Sequence, residues 1–214
     1  MAKRKVSKKK VFKLIAALLV VVVVLVGGFM FFGKDKPQKV TVKKSVDSIK
    51  GYDYTLSENA TKYYKGLFKK LKNVLEADDV DEDKYAELVA KMFVADFYNL
   101  DNKVSKNDVG GVQFVYSGFT DDFKKLATSS MYKSVKSNIY GKRKQELPVV
   151  VNVSTEMKDS ESFKYGDNTD DKAYVIDFNI EYASDLGYQE SGVLTIIHND
   201  KKLEVASLAD VDSN

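Results

Sequence analysis

Apolar positions in this chain first form an unbroken block, then recur at helical spacing, and finally alternate. From Leu14 to Gly33 there is no charged or strongly polar side chain. As a helix, a run of that length rises about 30 Å, the thickness of a bilayer's hydrocarbon core. A secretory signal peptide has a shorter apolar core, about 7–15 residues, and a small-residue cleavage site. Here the run exits through Phe29, Met30, Phe31 and Phe32. It is therefore read as an uncleaved signal anchor over 14–33. Residues 1–13 carry seven cations and no acid, so the tail is expected to stay cytoplasmic and the rest of the chain to lie outside.

Residues 34–53 are charged, contain one of the two prolines and show no sustained period, which reads as a juxtamembrane spacer. Val40 and Val42 are candidates there for a short edge strand. An extracytoplasmic domain is expected over 54–210, followed by a short tail, 211–214. Its first helix is marked by a stripe through Ala60, Tyr63, Tyr64, Leu67, Phe68, Leu71, Val74 and Leu75. Thr55 with Glu58 fits a capping box, with Ser57 as the alternative cap. Lys62, Lys65, Lys69, Lys70 and Lys72 form the opposite, solvated face.

A second helix is expected from Asp81–Asp83, where acids suit the positive end of the helix dipole. Its stripe runs through Tyr85, Leu88, Val89, Met92, Phe93, Phe97 and Leu100, with Asp96 close to it. Residues 100–111 break the period, and "VQFVYS" reads as a short strand or extended entry. Helical spacing resumes through Phe123, Leu126, Met131, Val135 and Ile139, with Thr120 as N-cap and Ser129 as the cap of a second piece.

After Pro148 the period becomes two. Val149, Val151 and Val153 oppose Asn152 and Ser154. Tyr174, Ile176, Phe178, Ile180 and Tyr182 oppose Asp177, Asn179 and Glu181. With "SGVLTIIHN" and "KLEVASLAD", joined by a tight turn at Asn199-Asp200-Lys201, these segments predict a four-stranded antiparallel sheet with one covered face. The polar insertion 158–171 reads as a mobile loop. The expected class is α+β: three to four helices on a curved four-stranded sheet, preceded by the transmembrane helix.

Charge adds one point. Seven of the 34 basic residues precede the apolar run, leaving 27 basic against 31 acidic residues. A mildly acidic domain is poorly suited to nonspecific nucleic-acid binding, which needs clustered cations. There is no cysteine, which removes disulfides, thiolate metal sites and cysteine nucleophiles. The sole histidine, His198, sits at a strand end beside a turn. No phosphate-cradling glycine motif occurs. The acidic segments 78–83 and 166–171 suggest calcium but lack the spacing of a calcium loop. No catalytic, metal or cofactor site is expected.

Helices followed by an antiparallel meander over Tyr54–Asp210 resemble the nuclear-transport-factor-2-like superfamily, whose cone-shaped domain encloses a pocket between sheet and helices. With one N-terminal membrane helix added, the chain is similar to inner-membrane scaffold components of type IV secretion and conjugation machines. The Asn-Pro-x-Gly turn typical of those scaffolds is absent, Pro37 and Pro148 being the only prolines. The resemblance implies a non-enzymatic scaffold in a cell-envelope complex, in contact with the lipid bilayer and with other proteins or further copies of itself. The alternative it implies is a small-ligand pocket, lined by Asp96, Tyr174, Phe178 and Tyr182. Enzymes of the superfamily move protons with an Asp or a His–Asp pair, for which Asp96 and Asp177 are the candidates.

Overall fold

The computed structural model describes residues 44–210. The apolar run, the basic tail, Val40, Val42 and residues 211–214 lie outside the described residues. Among the described residues, no helix is long and apolar enough to cross a membrane.

A fifteen-residue strand organises the domain. β1 (Ser45–Ile49) and β2 (Tyr54–Ser57) form a separate antiparallel hairpin. Helices α1 (Lys62–Leu75), α2 (Glu82–Phe97) and α3 (Thr120–Ser129) follow, and then β3 (Val150–Met157), β4 (Glu161–Tyr165), β5 (Asn168–Tyr182), β6 (Ser191–Asn199) and β7 (Lys202–Ala209). The last five strands make one antiparallel sheet ordered β3-β5-β6-β7, with β4 also paired to β5.

The α+β plan with helices on an antiparallel sheet is as expected, but the sheet has five strands. The insertion 158–171, read as a mobile loop, is a strand and a turn. Met157 pairs with Ile176 and Glu161 with Ala173, so β4 continues the path of β3 along the same edge of β5. Gly166, at φ +58°, reverses the chain between β4 and β5, a conformation glycine adopts without a Cβ penalty.

The alternation in β5 matches the structure. Ile176, Phe178 and Ile180 are buried toward the helices, with Tyr174 and Tyr182 half-buried at the two ends of that row. The alternation in β3 is interrupted. A bulge between Val150 and Asn152 turns Val150 and Val153 into the core and leaves Val151 40% exposed. The β6–β7 hairpin closes with Asn199 opposite Lys202 and Asp200 at φ +53°.

The spacer reading also changes, because β1 lies within 34–53 and Ile49 is almost fully buried in the main core. Helix α1 begins later than the Thr55–Glu58 pattern suggested, since Tyr54–Ser57 are taken up in β2. Thr61 is its cap, accepting from the Tyr64 N–H at 3.1 Å. Thr61→Ala is expected to lower stability by about 1 kcal/mol, read as a shifted denaturant midpoint with unchanged slope. Tyr64, Leu67, Phe68, Leu71 and Leu75 of the predicted α1 stripe are buried, and the helix packs on α2.

Asp81 caps α2 through the Lys84 N–H at 3.1 Å, with Glu82 and Asp83 in the first turn. This helix packs against α1 and against β3, β5, β6 and β7. That sandwiched position explains why Ala86, Ala90, Val94 and Ala95 are buried along with the predicted stripe.

Helix α3 is shorter than expected. The hydroxyls of Thr128, Ser129 and Ser130 all donate back to carbonyls three or four residues earlier, and the helix ends there. Thr120 lies in the first turn and donates to the Tyr116 carbonyl; it does not cap. Residues 130–149 are turns and irregular chain in which Tyr132 and Val135 reach the core while Ile139 stays exposed. The segment read as a strand or extended entry is a short 3-10 turn, Val112–Phe114, followed by Val115–Tyr116 running along β7.

Candidate functional site

Asp96 projects from the last turn of α2 into the loop that follows it. Its Oδ1 meets the Lys103 ammonium at 2.5 Å, and its Oδ2 accepts from the Gly111 N–H at 2.7 Å. The Lys103 side chain is fully buried and that of Asp96 is 26% exposed. Tyr132 ties the same loop down, donating to the Phe97 carbonyl and accepting from the Gly110 N–H. A Cβ at Gly110 would lie 2.1 Å from the Asp96 carbonyl oxygen, so glycine is required for this approach. Asp96 thus works as a partly buried clasp for residues 99–111. The partner cation was missed in the sequence, because Lys103 sits in a polar loop with no periodicity to mark it as internal.

The other three residues grouped with Asp96 are not brought around a shared cavity with it. Phe178 is fully buried in the middle of β5, its ring 5.8 Å from that of Tyr98 and packed over Gly192 on β6. Tyr182, at one end of β5, donates to the Gln189 carbonyl at 2.7 Å, and Tyr98 donates to the Gln189 side chain at 2.9 Å. Tyr174 lies near the middle of β5, at the other end of the inward-facing row, beside the first turn of α2. Burial, followed by the charges of Glu82 and Asp83, pushes its phenol up to about 12. The interior between sheet and helices is filled by Phe93, Phe97, Tyr98, Phe178 and the aliphatic rows around them. Asp177 lies on the opposite face of the sheet, where Lys158 reaches it at 3.1 Å.

Next to Tyr174 the structure assembles a pair that the sequence reading did not connect. His198 Nδ1 lies 2.8 Å from Asp170 Oδ2, and the same oxygen accepts from the His198 backbone N–H at 2.7 Å. The Tyr174 ring is 5.4 Å from the imidazole. The strand register brings the two together. Tyr174 pairs with Ile196, which sets residue 172 opposite His198 and residue 170 within diagonal reach. The Asp170 side chain is only 9% exposed and that of His198 30%.

Burial pushes the Asp170 carboxyl up. Hydrogen bonds from the His198 and Lys172 backbone N–H groups and from the His198 ring outweigh it and hold the group below its ordinary value of 3.8. A depressed carboxylate stabilises the fold above its unfolded-state value, and that stabilisation is lost as pH falls through the folded-state value. Asp170→Asn is therefore expected to lower stability at neutral pH by about 1–3 kcal/mol and to flatten the decline below about pH 4. Thermal midpoints of both proteins measured between neutral and acid pH check this. The pair anchors the β4–β5 hairpin to the end of β6. Among the described residues, no group of three or more His, Asp or Glu side chains is arranged to hold a metal ion.

A shallow groove lies between α1 and the start of β3. Thr61, Tyr63, Gly66 and Leu67 form one wall and Val149–Val151 the other, with Lys62 and Lys70 at its rim. The groove exists because of two local devices. The β3 bulge turns Val151 outward, and Gly66 leaves the helix surface open, with no atom within 4 Å of where a Cβ would be. Tyr63 spans the groove to the sheet edge: its hydroxyl accepts from the Val153 N–H at 2.8 Å and lies 3.4 Å from the Val153 carbonyl. That contact supplies the backbone partners an edge strand lacks, and so limits indiscriminate strand pairing at this point.

No protein-family model, no curated protein and no solved structure matches this chain.

Proposed function

We propose that the chain is a single-pass, membrane-anchored interaction protein. Its extracytoplasmic domain holds a place in a cell-envelope complex and catalyses no reaction, in the manner of the secretion scaffolds its element order resembles. The observation that carries this reading is the groove between α1 and β3. It sets apolar surface, including the 40% exposed Val151, beside two exposed lysines in the part of the chain after the apolar run, where acids outnumber basic residues 31 to 27. Such a surface suits a partner segment with an apolar anchor flanked by acidic residues, the pairing of a desolvated centre with a charged rim found at protein interfaces. The filled interior supports a surface role over capture of a small ligand between sheet and helices.

Sedimentation of the full chain, extracted from its native membranes in mild detergent after crosslinking, tests the reading. A species heavier than the monomer, reduced by Val151→Lys, is the expected result. A monomer in both cases would overturn it.

A further inference from the structure

The irregular segment that follows α3 presents a second surface, of different chemistry. Ile139 is 66% exposed and Tyr140 86%, side by side at a tip where Gly141 takes φ +66°. Lys133, Lys136, Lys142 and Lys144 flank them in sequence and are all exposed, and no acid occurs from Met131 to Gln145. The segment is firmly held at its base. The Arg143 guanidinium donates to the carbonyls of Lys103 at 2.8 Å, Asp101 at 2.5 Å and Lys136 at 3.2 Å. The Arg143 N–H donates to Asn138 Oδ1, and the Asn138 N–H donates to the Val104 carbonyl at 2.7 Å. Gln145 bridges the Lys136 N–H and the Ser134 carbonyl. A planar fork pinned at three carbonyls fixes the loop so that its two apolar side chains point away from the core.

We propose that residues 133–145 seat the domain on an anionic bilayer surface. Ile139 and Tyr140 enter the headgroup region and the four lysines meet lipid phosphates. An aliphatic side chain beside a tyrosine, flanked by cations, matches a leaflet, which is apolar beneath a charged layer; tyrosine in particular favours that interface. A nucleic acid would satisfy the lysines and offer Ile139 nothing. Charge and a short apolar insertion each bind membranes weakly, and together they give stable attachment. The inference rests on the anchoring reading, in which the same chain tethers the domain to a bilayer.

The absence of cysteine makes the test clean. The full chain carrying Ile139→Cys, labelled with an environment-sensitive nitrobenzoxadiazole, is reconstituted into phosphatidylglycerol–phosphatidylcholine vesicles and into pure phosphatidylcholine. Leu186→Cys, 38% exposed in the β5–β6 turn, is the control. The label at 139 is expected to brighten several-fold and shift to the blue in the anionic vesicles, and to be quenched by spin-labelled lipid. Lys142→Glu with Lys144→Glu should reduce the membrane-seated fraction at least about tenfold, and the label at 186 should not respond.

A water-like spectrum at 139 in anionic vesicles overturns the proposal. So does an apolar spectrum that appears equally in lipid-free detergent and grows with protein concentration, which would assign the tip to a second copy of the chain. Flotation of the unlabelled chain with pure phosphatidylcholine vesicles reports the anchor separately. Co-flotation there, together with a water-like label at 139 in the anionic vesicles, sinks only the docking inference. Failure to float sinks the anchoring reading.

Discussion

Phe178→Ala is expected to cost about 3–5 kcal/mol of stability, a large share of the roughly 5–15 kcal/mol that holds a domain of this kind folded. The side chain has no exposure, its ring meets Tyr98, and Gly192 directly across the sheet leaves the room that ring occupies. Truncation removes the buried ring and leaves a void that the surrounding β-sheet cannot close. Denaturant unfolding followed by circular dichroism should show a lower midpoint at unchanged slope. The result also bears on function. A domain built around an open ligand cavity would lose much less here, because the ring would already face empty or wet space. A cost below about 1 kcal/mol would reopen the ligand reading.

Asp96→Ala is expected to be similarly damaging, at about 3–5 kcal/mol, for an electrostatic reason. The change takes from the buried Lys103 ammonium the carboxylate it contacts at 2.5 Å and from the Gly111 N–H its acceptor. Asp96→Asn keeps an acceptor for Gly111 while losing the charge, and should fall between the wild type and the alanine variant. Combining Asp96→Ala with Lys103→Met should recover much of the loss, since removing both charges avoids stranding one of them. If the double variant were as unstable as Asp96→Ala alone, the carboxylate would have a role other than clasping the loop.

Sequence periodicity revealed what burial imposes and missed what pairing imposes. The β5 row is legible because one face of that strand is covered from Tyr174 to Tyr182, and the α1 stripe is legible because the opposite side of that helix meets water. β4 was not legible, because its residues are mostly exposed and its place follows from the path of β3 along β5. β1 was missed for the same reason, with Ile49 as its one buried residue. The end of α3 depends on hydroxyl groups at 128–130 that bond backward, while Met131 and Val135 continue the apolar spacing through turns.

The candidate site divides along the same line. Asp96 stood out because it lay beside an apolar stripe. Its partner Lys103 and the His198–Asp170 pair depend on tertiary geometry across 7 and 28 positions of sequence. The α1–β3 groove was hidden by the bulge, since strict alternation would have placed Val151 in the core with Val153.

The central claim is that the groove between α1 and β3 is where this protein meets a protein partner at the membrane. Site-resolved photo-crosslinking of the full chain in its own cells tests it most directly, with benzoylphenylalanine placed at Val151 and, as control, at Val46, which is also exposed. A discrete adduct from position 151, absent from position 46 and lost when Lys62 and Lys70 are both changed to glutamate, is the predicted result. Equal crosslinking from both positions, or none from 151, would contradict it.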